Sequence, residues 1–353
     1  MTNDQAVDPQ VGTASSLAVF DALRAGSPAP QWLLAGIVDA WNLDPARTTA
    51  DLITVSENAT FVVRVDGRAV AVTRVARPGY VVDPAAFESE VAWVEAIALE
   101  DVARVPTSLR TREGRFVARV LDATGTPWWC VSFQFLAGSI LEDVADPVPH
   151  YRTIGRTTAL LHEHADRWTP PAGFVRHAWE LADMVGPSAR WGRWEDAPVS
   201  RSERVLLRLA QSAALNVLVA APRGTGNRGL IHADLRPSNI MVCDDGLAVI
   251  DFDDCGYGWY AYDFAAALTF MEHVPFAPEM AQEWLAGYSE VRPLDVLDVR
   301  RACALSMVRR LQMLGWTTTH REDALPPALW AAQTSGTLEV AERFLRNPTW
   351  LVD

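Results

Sequence analysis

Three side chains between residues 231 and 251 have the types and spacing that phosphoryl transfer from a nucleotide requires. Asp234 is followed five residues later by Asn239, and Asp251 stands at the end of an apolar segment. One carboxylate must orient and deprotonate the attacking hydroxyl, while an amide oxygen and a second carboxylate hold the magnesium ions that neutralise the phosphates. Phosphoryl transfer is therefore the chemistry that this stretch predicts.

The same stretch matches a known motif in order and spacing. Residues 232–239 read H-A-D-L-R-P-S-N and fit the kinase catalytic loop H-x-D-L-x-x-x-N, and an Asp-Phe pair follows at 251–252. A hairpin containing Gly246 separates the two parts. The whole constellation is far more specific than a lone H-x-D.

Composition indicates an ordinary globular chain, long enough for two subdomains. The 353 residues are 49% hydrophobic and 21% charged, and the four cysteines form no C-x-x-C pair. No apolar run approaches the roughly 18 residues of a membrane span, and no signal peptide is readable. These features predict a cytoplasmic protein with reduced thiols and no membrane partner.

Charge argues against a nucleic-acid partner. The net charge is −13, and residues 231–300 hold 13 Asp or Glu against three Arg. A nucleic-acid surface needs the opposite sign. All 31 basic residues are Arg, so any role that lysine usually fills must fall to Arg or be absent.

Hydrophobic patterning predicts a small sheet followed by a helical remainder. The predicted strands are short and β-branched, at 51–55, 60–65, 69–75, 105–111, 115–121 and 128–135. The predicted helices have apolar residues at helical spacing, at 17–25, 31–41, 84–100, 149–164, 201–221, 260–273, 278–288, 295–315 and 325–346.

These elements predict an α+β, two-lobe fold. Residues 1–48 form a tail and helical extension, 49–135 a β-rich N-lobe, and 136–353 a larger helical C-lobe. The active site is expected between the lobes.

The chain resembles the aminoglycoside phosphotransferase and choline kinase superfamily of kinase-like folds. It is most similar to the bacterial subgroup with homoserine-kinase-like enzymes and the stress-response kinase. The resemblance covers about residues 50–345. Besides the catalytic stretch it rests on residues 56–61 (S-E-N-A-T-F), Arg74 with Glu90, the helix ending at His162, and residues 250–264.

The resemblance implies roles for the catalytic stretch. Asp234 would be the catalytic base, and Asn239 and Asp251 would hold Mg²⁺. Asp253, with its neighbour Asp254, either joins the metal site or caps the turn.

Three further residues of this stretch have supporting or open roles. Arg236 takes the place of a catalytic-loop lysine and either touches the transferring phosphate or forms a surface salt bridge. His232 and Asp263 are expected to support the loop rather than move protons.

The resemblance also implies a nucleotide site in the N-lobe, for ATP with GTP left open. Arg74 takes the place of the lysine that grips the phosphates, paired with Glu90 or, second, with Glu88. The turn that covers the phosphates lacks G-x-G-x-x-G, and a plain hairpin loop is its alternative. The remaining predicted nucleotide-binding residues are Ser56, Asn58 and Thr60 in this turn and Gln134, Phe135 and Leu136 at the hinge.

The acceptor is predicted to be a hydroxyl of a small molecule. Asp263 follows Asp251 by only twelve positions, with no A-P-E motif and no room for a long activation loop. A protein Ser/Thr kinase of the stress-response type is the alternative, and a non-catalytic nucleotide-binding module is a third hypothesis. The oligomeric state is not readable from the sequence.

An acidic surplus after the catalytic turn suggests that the acceptor carries an amine. In the family that the chain resembles, the helices after the catalytic turn border the acceptor, so the resemblance implies that four glutamates lie near it: Glu272, Glu279, Glu283 and Glu290. Aminoglycosides, homoserine and amino alcohols fit this description. A solvated acidic face unrelated to the site is the alternative.

Overall fold

The computed structural model describes residues 16–79, 83–219 and 227–352. The chain divides into two compact units. The first contains the described residues up to Ala96, with Pro106–Ala137 and Pro170–Val175; the second contains Ile97–Val105, Gly138–Thr169 and the described residues from Arg176 onward. The predicted lobe boundaries at 48 and 135 stay a prediction.

The first unit is built on a five-stranded antiparallel sheet in the order β1-β2-β3-β5-β4. The strands are β1 (Thr48–Val55), β2 (Asn58–Val65), β3 (Arg68–Ala76), β4 (Val117–Leu121) and β5 (Pro127–Gln134). The hairpin predicted between β2 and β3 is confirmed. Asp66 and Gly67 both have positive φ (51° and 76°), as a tight two-residue hairpin turn requires.

Two helices pack against this sheet, one on each face. Helix α1 (Gln31–Ala40) packs on a cluster that includes Ala118 and Cys130, while α2 (Ala85–Leu99) packs on Val117 and Val131. Successive strand residues point to opposite faces, so the two helices cover opposite faces of the sheet.

The strand predicted at 105–111 is wrong. That segment forms only an isolated bridge between Ser108 and Phe133. Pro106 has no N–H to donate, so a regular ladder cannot run through it.

The second unit is mostly helical, with short strands around the catalytic stretch. Its helices are α3 (Tyr151–Arg167), α4 (Leu181–Val185), α5 (Arg201–Val219), α6 (Ala261–Ala267), α7 (Ala277–Ser289), α8 (Val296–Trp316), α9 (Pro327–Ala331) and α10 (Gln333–Arg346). Its strands are β6 (Ser139–Ile140), β7 (Arg228–Ile231), β8 (Ile240–Cys243), β9 (Gly246–Val249) and β10 (Gly256–Trp259). They form one sheet in the order β6-β8-β9 and a β7-β10 pair.

Two predicted helices differ in extent from the observed ones. The helix predicted at 260–273 ends at Ala267, and turns follow in which Phe270 has a φ of 70°. The helix predicted at 325–346 is two helices, α9 and α10, separated by Ala332.

Helix α8 is the core of the second unit. Asp295 accepts a hydrogen bond from Asp298 N at its start, and residues 301–316 are all buried. Helices α5 and α6 pack against it. Two adjacent arginines of this helix, Arg309 and Arg310, are fully buried.

Helices α3 and α7 approach each other through two glycines. A Cβ at Gly155 would overlap the main-chain oxygen of Trp284, and one at Gly287 would overlap that of Arg152. Only glycine permits this backbone contact.

All four cysteines lie among the described residues. All four cysteines are free, and Cys130, Cys255 and Cys303 are buried. Burial raises the pKa of the Cys130 thiol. None of the helices in residues 16–79, 83–219 and 227–352 has the length and apolar character needed to cross a membrane.

Candidate active site

The β8–β9 hairpin brings the two predicted metal ligands to the same end of two paired strands. Ile240 pairs with Val249, and the N–H of Ile250 donates to the main-chain oxygen of Asn239 at 3.0 Å. Asn239, just before β8, is therefore beside the residue that precedes Asp251. The apolar hairpin read from the sequence is what aligns them.

Asp263 fixes the start of the catalytic loop. Its Oδ1 accepts from Ala233 N at 2.7 Å, and its Oδ2 accepts from His232 N at 3.1 Å. Asp263 is completely buried. Ala233 has a φ of 67° and Asp251 one of 60°, a conformation that is costly for residues other than glycine and needs such support. The predicted supporting role of Asp263 is confirmed.

A buried imidazole connects Asp263 to α7. His162 Nε2 lies 3.0 Å from Asp263 Oδ2, and His162 Nδ1 lies 2.9 Å from the hydroxyl of Tyr288. A neutral ring that donates from Nε2 and accepts at Nδ1 satisfies both partners. Burial lowers the pKa of His162, although Asp263 opposes the shift.

His232 also has a supporting position. Its Nδ1 accepts from Asp234 N at 3.3 Å, and its Nε2 donates to Ile250 O at 3.2 Å. The ring therefore ties the loop before Asp234 to the strand end before Asp251, as expected.

The carboxylate of Asp234 is held on both oxygens. Asn239 Nδ2 donates to Oδ2 at 2.8 Å, and Arg309 Nη2 donates to Oδ1. Arg236 Nε is 3.5 Å from Oδ2, and Arg236 Nη1 is 4.0 Å from Glu142. Arg236 thus forms ion pairs within the unit, and its predicted contact with phosphate stays a prediction.

Arg309 was missed by the reading of the sequence. Burial alone would lower the pKa of its guanidinium, but Tyr262 and Asp234 outweigh that effect and raise it. The sequence does contain a signal, because a pair of arginines stands in the mostly apolar segment 302–316. A buried arginine needs an acidic partner, but the sequence does not say which one.

The predicted metal ligands fit a magnesium site that is completed by a nucleotide. No group of three or more His, Cys, Asp or Glu that could hold a metal occurs in the described part of the chain. An amide oxygen and a carboxylate nevertheless match the ligands of Mg²⁺, which takes its remaining ligands from phosphates and water.

The segment after Asp251 is fixed by two side chains that lie between α3 and α4. Arg176 donates to the main-chain oxygens of Asp253 and Cys255, the latter at 2.5 Å. Trp179 Nε1 donates to Asp254 O at 2.9 Å. Arg176 and Trp179 therefore shape the turn that contains Asp253 and Asp254.

In the first unit, the predicted pair between Arg74 and Glu90 is confirmed. Arg74 Nη2 contacts Glu90 Oε2, and both side chains are buried. Glu88 instead pairs with Arg115 at 3.3 Å on the surface.

The predicted phosphate-covering turn is short. Ser56 N donates to Asn58 O at 2.9 Å between β1 and β2. Thr60 is paired directly opposite Arg74, so the two side chains and that of Asn58 extend from the same face of the sheet.

At the predicted hinge, two main-chain amides already have partners. Gln134 N donates to Thr107 O at 2.8 Å, and Phe135 N donates to Val70 O at 3.1 Å. Leu136 follows the end of β5.

The acidic surplus is placed differently from the expectation. Glu272 is fully buried and lies 3.0 Å from Arg310, so the expectation that it borders the acceptor is wrong. Glu283 and Glu290 lie 3.5 Å and 2.8 Å from Arg152. Glu279 and Glu283 line a cavity of about 450 Å³. Three of the four glutamates are thus paired with an arginine, and one of these three, Glu272, is in the core.

The chain is similar to several known kinases. The model of the phosphotransferase enzyme family matches residues 53–297. A homoserine kinase of Acidiphilium cryptum is 29% identical over 62% of this chain and 79% of its own length. Amicoumacin kinase of Bacillus subtilis is 21% identical over 58% of this chain, and the chain spans only 61% of that relative.

Solved structures extend the similarity over nearly the whole chain. A microcompartment-associated aminopropanol kinase has a TM-score of 0.80 and 36% identity, over 90% of this chain and 98% of the other. An amicoumacin kinase bound to AMP-PNP and Ca²⁺ has a TM-score of 0.72 at 16% identity, over 92% and 96%. The resemblance seen in the sequence is confirmed: the chain belongs to the phosphotransferase enzyme family and has the α+β, protein-kinase-like fold.

Proposed function

We propose that this phosphotransferase transfers the γ-phosphate of ATP to the hydroxyl of a small amino alcohol. The observation that carries the proposal is the arrangement around Asp234. Its carboxylate is held by Asn239 and Arg309 in a loop that Asp263 fixes, although its side chain is still 17% exposed. Such a preorganised carboxylate suits a base that must meet a hydroxyl in one orientation.

In the proposed reaction, Asp234 accepts the proton of the acceptor hydroxyl. The acceptor oxygen bonds to the γ-phosphorus, the bond from that phosphorus to the β,γ-bridging oxygen breaks, and ADP leaves. Asn239 and Asp251 would hold Mg²⁺, which when bound neutralises charge on the phosphates. Asp253 is proposed as a further ligand, and Arg236 as a contact of the transferring phosphate.

The nucleotide is proposed to bind residues of the first unit. Arg74 offers a planar fork suited to phosphate oxygens and is held by Glu90. The residues proposed to cover the phosphates are Ser56, in the turn between β1 and β2, and Asn58 and Thr60, on the face of the sheet that carries Arg74. At the hinge of Gln134, Phe135 and Leu136, the amide of Leu136 is the proposed donor to adenine, because the other two amides donate elsewhere.

The acceptor class rests on similarity and on the short segment after Asp251. The 36% identical structure is named as that of an aminopropanol kinase. The acidic surplus adds less support than the sequence suggested, since Glu272 is buried with Arg310.

The test is ADP release from Mg·ATP with a panel of acceptors. The key pair is 1-amino-2-propanol and 1,2-propanediol, in which a hydroxyl replaces the amine; homoserine, kanamycin and casein complete the panel. We expect kcat/KM for the amino alcohol to exceed that for the diol by more than about tenfold, since an unpaired recognition group is costly. Equal values for the pair, or phosphorylation of casein alone, would overturn the proposal.

A further inference from the structure

We infer that Arg309 is a positioning residue for Asp234, which fixes the direction of the carboxylate that receives the acceptor proton. This inference rests on the proposed role of Asp234. It concerns a side chain of α8, which lies 75 residues away in the sequence.

The guanidinium of Arg309 is fixed by four different acceptors. Its Nε donates to Thr269 Oγ1 at 3.2 Å, and its Nη1 donates to Ala233 O at 3.1 Å and to the Tyr262 hydroxyl at 2.7 Å. The remaining contact, from Nη2, is to Asp234 Oδ1. The ring of Trp191 lies 5.0 Å from the guanidinium carbon. A planar group held at this many points has little freedom to rotate.

Arg309 and Asn239 act on opposite oxygens of one carboxylate. Arg309 fixes Oδ1, and the Asn239 amide fixes Oδ2. With a donor on each oxygen, the carboxylate has one orientation. A misplacement of the order of 1 Å in such a group can cost about a hundredfold in rate.

The chain contains a matched arginine for comparison. Arg310 is the next residue, is equally buried, and also pairs with a buried carboxylate, that of Glu272 at 3.0 Å. Its other partners, Thr337 Oγ1 at 3.0 Å and Gln333 O at 3.5 Å, belong to α10 and not to the catalytic loop. Replacing either arginine removes a buried charge from the core. Of the two, Arg309 is the one that contacts Asp234.

The experiment compares Arg309→Met, Arg309→Lys and Arg310→Met with the wild-type protein. Unfolding and steady-state kinetics with Mg·ATP and 1-amino-2-propanol are measured on the same preparations, at a temperature where each variant is folded. We expect both Met variants to unfold at lower temperature. Only Arg309→Met should lose about a hundredfold in kcat, with KM for ATP unchanged, and Arg309→Lys should recover part of the loss because it keeps the charge.

Asp234→Asn in single and double variants separates this inference from the proposed function. If Arg309 acts through Asp234, the kcat of Asp234→Asn/Arg309→Met is no lower than that of Asp234→Asn. The double variant should also lose less free energy of unfolding than the two single variants together. Near-normal turnover in Asp234→Asn, or none with any acceptor in the wild type, would refute the proposed function. If Asp234→Asn and Arg309→Met also lower the free energy of unfolding additively, the contact between Asp234 and Arg309 would be refuted as well. With Asp234→Asn inactive, equal kcat in Arg309→Met and Arg310→Met would overturn the positioning role alone.

Discussion

The side-chain amide of Asn239 donates twice to Asp234, to its main-chain oxygen and to its carboxylate Oδ2, each at 2.8 Å. The nitrogen is therefore committed to Asp234, and the amide oxygen is the atom available for a metal. One side chain thus connects the proposed base to the proposed magnesium site.

This geometry predicts that Asn239→Asp is harmful although a carboxylate is a good ligand for magnesium. Two carboxylates about 3–4 Å apart repel by about 4 kcal/mol at an effective dielectric constant of about 20. We expect lower kcat and lower thermal stability than in the wild-type protein. In Asp234→Asn/Asn239→Asp the repulsion is gone, so this double variant should lose less stability than the two single changes together, and it should remain inactive. A fully stable Asn239→Asp protein would contradict the argument.

Asp251 is expected to control metal-dependent nucleotide binding. Removing its carboxylate leaves phosphate charge uncompensated, so Asp251→Ala should bind Mg·ATP much more weakly. Calorimetry with and without Mg²⁺ measures this difference, and Asp244→Ala, in the exposed hairpin turn, is the control. Affinity for Mg·ATP equal to that of the wild type would exclude Asp251 as a ligand.

Arg74 and Glu90 are predicted to act as a pair. Truncating one partner of a buried ion pair leaves an uncompensated charge, at a cost of about 3–5 kcal/mol. The double alanine variant should therefore lose less stability and nucleotide affinity than the two single variants together. The exposed pair of Arg115 and Glu88 provides the control cycle, with a coupling of about 1 kcal/mol or less. Additive losses for the buried pair would count against it.

The parts of the fold that the sequence predicted are those determined by local pattern. Asp66-Gly67 predicts its hairpin because both residues tolerate positive φ. The spacing from Asp234 to Asn239 is a property of one loop, so it can be read without knowing what surrounds that loop.

The parts that the sequence did not predict depend on tertiary contacts. Glu272 looked like a surface charge because its partner, Arg310, is 38 residues away. Arg309 was missed for the same reason, because its contact with Asp234, 75 residues away, depends on how α8 packs. The face of the sheet covered by α1 is likewise decided by packing and not by α1 itself.

The contact between α3 and α7 predicts that Gly287→Ala destabilises the second unit. The added methyl group would overlap the main-chain oxygen of Arg152, and backbone cannot move aside as a side chain can. Overpacking of this kind costs about 1–3 kcal/mol. Chemical denaturation measures the loss, and Ser289→Ala, exposed at the end of the same helix, should leave stability nearly unchanged. A Gly287→Ala midpoint equal to that of Ser289→Ala would show that the helices can separate without cost.

The last prediction concerns the pH dependence of stability through His177. Burial, together with the positive charges of Arg190 and Arg176, lowers the pKa of this imidazole to about 3. In the unfolded chain the pKa of histidine is about 6.5. Between these two values the unfolded state binds the additional proton, so stability falls as pH decreases from about 6.5 toward 3.

The measurement is thermal unfolding at pH 7.5, 6.5 and 5.5, above the range where most carboxylates titrate. We expect a drop in Tm between pH 6.5 and 5.5 in the wild type and a smaller drop in His177→Gln. The slope should not vanish, because burial also lowers the pKa of His162, His164 and His273. His150→Gln, at a half-exposed position, is the control. If His177→Gln keeps the full wild-type slope, His177 is not the neutral, half-buried group that its surroundings require.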